Sequence, residues 1–473
     1  MTTLTELLTK LDTEQPRLDK LDRYWRGEQP TAFLAPKSVE ALGNRLRSLS
    51  VNYPRLTVLS LVDRLRLTGF RIGGDPSNPP DAALWSLWRR NQMIEGQYEA
   101  MKDALAYGRG YVVVWAGPRG VQISVESPRQ MTVRRDPATR EIVDGVKRWK
   151  SDGYGWATHY TGTAITTYRT RNRTGDDWSQ VIVGDWVQQG KAVPNPLGVP
   201  PIGQPLNRDR LLDFDGVSEM SGILDLTDAL GKILQDAMIT SEDYARPRRW
   251  ATGLEIVEDD NGDVINPFAD DGRRVWTNEA AEGEFGQFAQ ADMSGFEVMA
   301  NLLITQIGAI KGLPTHYLGL QTDQPPSADA IRSAEASLVA HANTLIRMFG
   351  ADFAWIAALI VAVRDGVDPY DVDVETVWAN PETRTPAQAA DAAAKLAGIG
   401  VPLETLLADE LGYDPTRIAK IMALRRGEAI QKAATSLAGA AVVAPLTAPT
   451  TESLVTSVPV QPAPAGVVEA VKA

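Results

Sequence analysis

The densest chemistry in this 473-residue sequence is a run of acids, Glu255, Glu258, Asp259, Asp260 and Asp263, set around Asn261-Gly262. Carboxylates at this density are hard oxygen ligands, and a calcium loop of the D-x-[DN]-x-[DN]-G type is the pattern to test them against. The register fails, because Glu258, Asp260 and Gly262 fall off it. Asn-Gly is a two-residue hairpin signal, so the run reads first as a solvated acidic turn. A metal-dependent nuclease or hydrolase using residues 255–263 is the rival of a different class. The three histidines, His159, His316 and His341, lie far apart, and no H-E-x-x-H pairs two of them. G-x-x-x-x-G-K-[ST], G-x-G-x-x-G and G-x-S-x-G are absent, which removes the local signatures of a phosphate loop, a dinucleotide fold and a nucleophile elbow. There is no cysteine, hence no disulfide, thiolate ligand or cysteine nucleophile. The expectation is a chain with no catalytic set, no cofactor and no metal.

The elements that would position these groups can be read from periodicity. Leu4, Leu7, Leu8 and Leu11, then Leu18, Leu21 and Trp25, fall at helical spacing. Residues 53–69 predict a helix leading into a strand at 70–72. Residues 81–107 predict a helix broken by Gly108-Arg109-Gly110. From 110 to 186, short runs rich in Val, Ile, Thr and Tyr predict an antiparallel β-region. A proline-rich loop follows at 195–209, then a helix over 215–244 that Pro247 ends at the latest. The basic cluster Arg246, Arg248 and Arg249 would complement that helix end or meet a partner. Residues 251–292 are a polar insertion in which only Arg273 and Arg274 oppose the acids. A helix returns at 293–311.

The most distinctive mechanical part comes next, KGLPTHYLGLQTDQPPSADAIRSAEASL over 311–338. One helix ends at Gly312, a mixed loop follows, and Pro325-Pro326 precede a helix running from Ser327 to Asp365. At 1.5 Å per residue that helix is roughly 57 Å long, so it must bridge subdomains or pack on neighbouring chains. Residues 373–378 read as a strand and 386–434 as two or three helices. From Ala438 the Ala, Val, Pro and Thr sequence has no period and reads as disordered. The N-terminus lacks the pattern of a signal peptide. The longest apolar run, 353–363, is about half of what a membrane-spanning helix needs. The net charge of −12 and pI near 5.0 argue against ordinary duplex binding. The twelve tryptophans read as core or subunit interface, and no interleaving of aromatic and basic residues is evident.

Several segments, in their order and spacing, resemble the portal proteins of tailed bacteriophages, of the siphophage type found in phages of actinobacteria. They are LDRYWRGEQP (21–30), NYPRLTVLSLVDRLRLTGFRI (52–72), NPLGVPPIGQPLNRD (195–209), YARPRRWATG (244–253), and IKGLPTHYLG followed by PPSADAIRSAE (310–335).

The resemblance implies an α+β, mainly α, portal fold in a homo-oligomeric ring, usually of twelve subunits, at one capsid vertex. It implies a wing at 1–220, stem helices at 221–248 and 293–311, and a clip at 249–292. A channel loop at 312–326, a long wing helix and strand at 327–385, a crown at 386–437 and a tail at 438–473 follow. Lys311, Thr315, His316, Gln321, Thr322, Asp323 and Gln324 would face double-stranded DNA in the channel. Glu258, Asp259, Asp260, Asp263, Arg273, Arg274 and Trp276 would belong to the clip, which would meet the terminase large subunit and a head–tail adaptor. Major capsid and scaffolding proteins are the other implied partners, and no membrane is. A ring of twelve such chains would pool about −144 formal charges, which would repel phosphate if the acids face the lumen. Another virion structural or adaptor protein is the nearer rival, disfavoured by length.

Overall fold

The computed structural model describes residues 2–29, 51–73, 79–174, 185–245, 249–253, 283–287, 293–320, 327–382 and 384–442. The chain divides into two units, Met1–Ala419 and Lys420–Ala473. The first holds every element described below except the later turns of the last helix.

The N-terminal leucines form a single helix, α1 (Thr2–Arg26), with Pro16 inside it. Leu4, Leu7 and Leu8 pack on Val146, Ala157 and Trp186 of the β-region, whereas Leu18, Leu21 and Tyr24 enter the main core. Helix α2 (Tyr53–Val62) starts where Asn52 accepts the Arg55 N–H at 3.2 Å. It ends seven residues before the expected boundary, a turn follows, and strand β1 (Leu67–Ile72) takes the last three of those residues. The reason is long-range: β1 pairs with β13 (Val374–Trp378), which claims Leu67–Gly69 for a sheet. The helix expected over 81–107 is two, α3 (Ala82–Arg90) and α4 (Met93–Tyr107), separated at Gln92, whose φ is 58°.

The β-region is confirmed as antiparallel. Strands β2 (Tyr111–Gly117) and β3 (Gly120–Glu126) pair with each other, and β10 (Ile202–Gly203) joins β2. A second sheet runs β4 (Met131–Arg135), β5 (Ile142–Ser151), β6 (Tyr154–Thr161), β7 (Ala164–Thr170) and β8 (Trp186–Gln188), with β9 (Val193–Pro194) also on β7. Tyr111 and Val113 of the first sheet meet Met131, Val133 and Tyr160 of the second in a small core of their own.

Helix α5 (Leu224–Ala245) begins nine residues later than expected, after a 3-10 turn at Ser221–Ile223. It packs against α6 (Ser294–Lys311). Between them, β11 (Arg249–Thr252) and β12 (Glu284–Gln287) pair across the neck of the acidic insertion. The Trp250 ring lies over Gly286, where a Cβ would stand 2.2 Å from it.

Helix α7 (Ala328–Asp365) is continuous over 38 residues, and Ser327 caps it through the Ala330 N–H at 3.2 Å. It is long and apolar enough to cross a membrane by length and composition. Its row Leu338, Ala342, Leu345, Phe349, Phe353 and Ile356 is instead fully buried in the core. Phe353 bridges Trp88 and Trp378 edge-on at 6.0 and 6.1 Å, so α7 ties α3 to β13. Beyond β13 come α8 (Pro386–Gly398), α9 (Leu403–Thr405, continuing as a π turn over Leu406–Glu410) and α10 (Pro415–Val442). Helix α10 therefore runs five residues into the stretch read from sequence as a structureless tail; residues 443–473 lie outside those described.

Candidate functional site

The site is built where α6 hands over to α7. Helix α6 stops because Gly312 adopts φ 61°, a left-handed cap that glycine enters without penalty, and its N–H returns to the Gly308 carbonyl. Leu313 follows the same route, donating its N–H to Gly308 at 2.9 Å. Pro314 then starts a 3-10 turn, Thr315–Leu318, closed by Gly319 at φ 75°. Leu313 and Leu318 are buried and plug the turn into the core. Gly308 makes room for this plug, since a Cβ on it would lie 2.3 Å from Leu318 Cδ1. Tyr53 donates its hydroxyl to the Leu318 carbonyl at 3.2 Å.

Two carboxylates clamp this hand-over. Glu219, just before α5, accepts from Lys311 Nζ at 3.1 Å and from Asn207 Nδ2 at 3.1 Å, and lies 3.4 Å from His341 Nε2 on α7. Burial pushes its pKa up, but the His341 hydrogen bond, the charges of Lys311 and His341 and the Asn207 hydrogen bond outweigh it and hold the carboxyl at about 2. Glu335, on the first turns of α7, takes Arg64 Nη2 at 3.0 Å and the Tyr317 hydroxyl at 3.2 Å. Arg64 also donates to the Tyr317 oxygen at 3.0 Å and to the Pro381 carbonyl at 2.8 Å, so the guanidinium ties α2, the turn, α7 and the segment after β13 together. The Glu335 and Arg64 side chains are 5% and 8% exposed. In so dry a setting the pair depends on its extra hydrogen bonds to offset desolvation.

These clamps decide where the expected channel residues sit. Lys311 is enclosed and engaged by Glu219. His316 is half-exposed, 3.8 Å from the Glu335 carboxylate, with its ring edge-on to Tyr317. Thr315 opens the turn and is exposed. Gln321, Thr322, Asp323 and Gln324 lie outside the described residues, as do Glu258, Asp259, Asp260, Asp263, Arg273, Arg274 and Trp276. Of the basic cluster, only the backbone of Arg249, in β11, is described. His159 is buried against Asp144 at 3.2 Å inside the second sheet. Among the described residues no group of three or more His, Cys, Asp or Glu could hold a metal.

Neither clamp carboxylate stood out in the sequence. Glu219 and Glu335 are single acids without a motif, and their partners lie 92 residues away for Lys311 and 122 for His341, and 271 for Arg64. Only the fold brings them together.

The arrangement is a structural junction, in which ion pairs hold the turn Thr315–Leu318 between two long helices. The chain belongs to the phage portal protein family: a family model described as "Phage portal protein, SPP1 Gp6-like" matches residues 4–428. That family is structural and not enzymatic. The portal protein of Mycobacterium phage L5 is 33% identical over 385 residues, covering 77% of this chain and 76% of its own. The portal protein of Mycobacterium phage D29 is 32% identical over 433 residues, covering 86% and 85%. Among solved structures, a chain from the virion of a native gene transfer agent particle aligns with TM-score 0.42 and 15% identity over 76% of this chain and 89% of its own. A chain from the neck of such a particle, computed with C12 symmetry, aligns with TM-score 0.44 and 14% identity over 78% and 91%.

Proposed function

We propose that copies of this chain form a closed ring, of about twelve by analogy with its family, at one vertex of a phage capsid. Double-stranded DNA enters through the ring during packaging and leaves through it during ejection. The observation that carries this reading is the family match over 4–428, joined to a helix–turn–helix unit whose turn is held by Glu219 through Lys311 and by Glu335 through Tyr317. Helix α6 supports a homo-oligomer: Val298, Met299, Leu302 and Ile310 are each more than half exposed, an apolar row that a neighbouring copy would cover.

In this reading α5 and α6 are the stem, and residues 312–326 form the channel loop with Thr315, His316, Gln321, Thr322, Asp323 and Gln324 facing DNA. Lys311 would steer that loop through Glu219, and would touch phosphate only on leaving it. The insertion between β11 and β12 is the clip, docking the terminase large subunit and a head–tail adaptor through the acids at 258–263 and through Arg273, Arg274 and Trp276. The wing would meet major capsid and scaffolding proteins.

Negative-stain microscopy of the purified chain tests the ring: round particles with a central hole are expected, and a monodisperse monomer, alone and with a scaffolding protein, would overturn it. Replacing 320–325 by a Gly-Ser linker should leave rings intact while packaging or retention of DNA falls. Normal packaging in that variant would remove the loop from the mechanism.

A further inference from the structure

A column of aromatic rings and cations stands on one face of the second sheet. The register places Trp149 of β5 opposite Trp156 of β6, and Trp156 opposite Arg169 of β7, so the three share a face. The indoles stack at 6.3 Å with planes 14° apart. The Arg169 guanidinium lies 4.6 Å from the Tyr154 ring and 5.8 Å from Trp156, and Arg173 lies 5.8 Å from the Tyr154 ring. Sequence inspection missed the pattern because the alternating spacing of strands, and a hairpin, separate residues that are neighbours across the sheet.

The opposite face of these strands is covered by α1 through Val146 and Ala157. The column itself is half-exposed, and Arg171 and Arg173 are exposed. Between Gly145 and Thr174 there are six Lys and Arg against one acid, Asp152, in a chain whose net charge is −12. Lys147 is neutralised by Glu126 at 2.6 Å. Arg169, Arg171 and Arg173 have no carboxylate partner among the described residues, and the buried Arg169 Nε has no hydrogen-bond partner. A cation–π contact holds a guanidinium in place without using its N–H donors. Among the described residues the column therefore presents unneutralised donors beside half-buried indoles.

We propose that this face is a docking surface for an acidic, extended segment of a partner protein, whose carboxylates pair with Arg169, Arg171 and Arg173 while an apolar side chain packs on Trp149 and Trp156. Trp, Tyr and Arg are the residue types that dominate protein interfaces. A nucleic-acid strand fits less well, because three cations on a chain of net charge −12 supply too little counterion release to hold a phosphodiester backbone.

The test uses the full chain and fluorescence anisotropy with two labelled probes, a twelve-residue peptide of alternating Glu and Leu and a twenty-nucleotide oligothymidylate. The expected result is salt-sensitive peptide binding that weakens at least tenfold in Arg173→Glu, an exposed position, with no change in melting temperature. Arg169→Lys should weaken it less than Arg169→Ala. Peptide binding that is absent, or equal in Arg173→Glu and the parent chain, would overturn the proposal. Tighter binding of the oligonucleotide, lost in the same variant, would overturn it in favour of a nucleic-acid surface.

Discussion

Lys311 and Glu219 meet at 3.1 Å across 92 residues of sequence, and their contact joins the last residue of α6 to the segment that launches α5. His341 reaches the same carboxylate from α7. One acid thus registers both members of a helix pair against a third helix, at the point where the chain turns.

This junction predicts an acid-sensitive fold. The Glu219 carboxyl is held at about 2, below its ordinary 4.5. A depressed carboxylate contributes stability that is present above the unfolded-state value and lost as pH falls through the folded one. Thermal melts should therefore show stability falling between about pH 5 and pH 2. Glu219→Gln should flatten that dependence and cost on the order of 3 kcal/mol at pH 7, since Lys311 is left enclosed without a counter-charge.

The second clamp predicts a coupling. Arg64→Met or Glu335→Gln alone should each destabilise by about 3–5 kcal/mol, because each strands a buried polar partner. The double variant should cost less than the sum of the two, and denaturant unfolding of all four proteins measures the difference. Strict additivity would mean the pair is not coupled.

Asp352 on α7 should act with the opposite sign. It accepts the Leu206 N–H at 3.0 Å, but burial outweighs that bond and the charges of Arg208 and Arg135, and raises its carboxyl from 3.8 to about 7. The folded state holds this proton more tightly than the unfolded one, so stability falls as pH rises from about 4 to 7. Asp352→Asn keeps an acceptor for Leu206 and removes the ionisation. It should melt higher than the parent at pH 8 and equally at pH 4.

Two glycines should behave differently on substitution. At Gly216, φ is 74° and a Cβ would meet the Gly108 carbonyl oxygen at 1.9 Å, a backbone atom that cannot step aside. Gly216→Ala should prevent folding or cost more than about 4 kcal/mol. At Gly308 the obstacle is the end of the Leu318 side chain. Gly308→Ala should cost about 1–3 kcal/mol as that leucine repacks, and the order of the two melting temperatures checks the reading.

Much of the fold could be read from periodicity. The leucine row of α1, the strand-rich 110–186 region and the long helix behind Ser327 each declare themselves within a dozen residues, because local spacing and caps decide them. The boundaries that moved were set at a distance: β1 takes Leu67–Gly69 because β13 lies beside them, and the α3–α4 break rests on a left-handed Gln92 that no local motif announces. The same holds for the site. The turn Thr315–Leu318 and its glycine and proline limits were legible, whereas Glu219 and Glu335 take their meaning from partners hundreds of residues apart or on separate helices. From sequence Lys311 reads as a phosphate contact at a helix end, and its pairing with the distant Glu219 is visible only in the fold.

Strand β1 has one further consequence, which concerns time. Its neighbour in the sheet, β13, is some 300 residues further along the chain. At a translation rate of about 5–20 residues per second, that neighbour leaves the ribosome roughly 15–60 s after β1 does. Throughout that interval the N-terminal half carries an unpaired strand edge, the kind of surface that recruits other chains. A nascent subunit is thus most open to misassembly before its long helix and last strand are made.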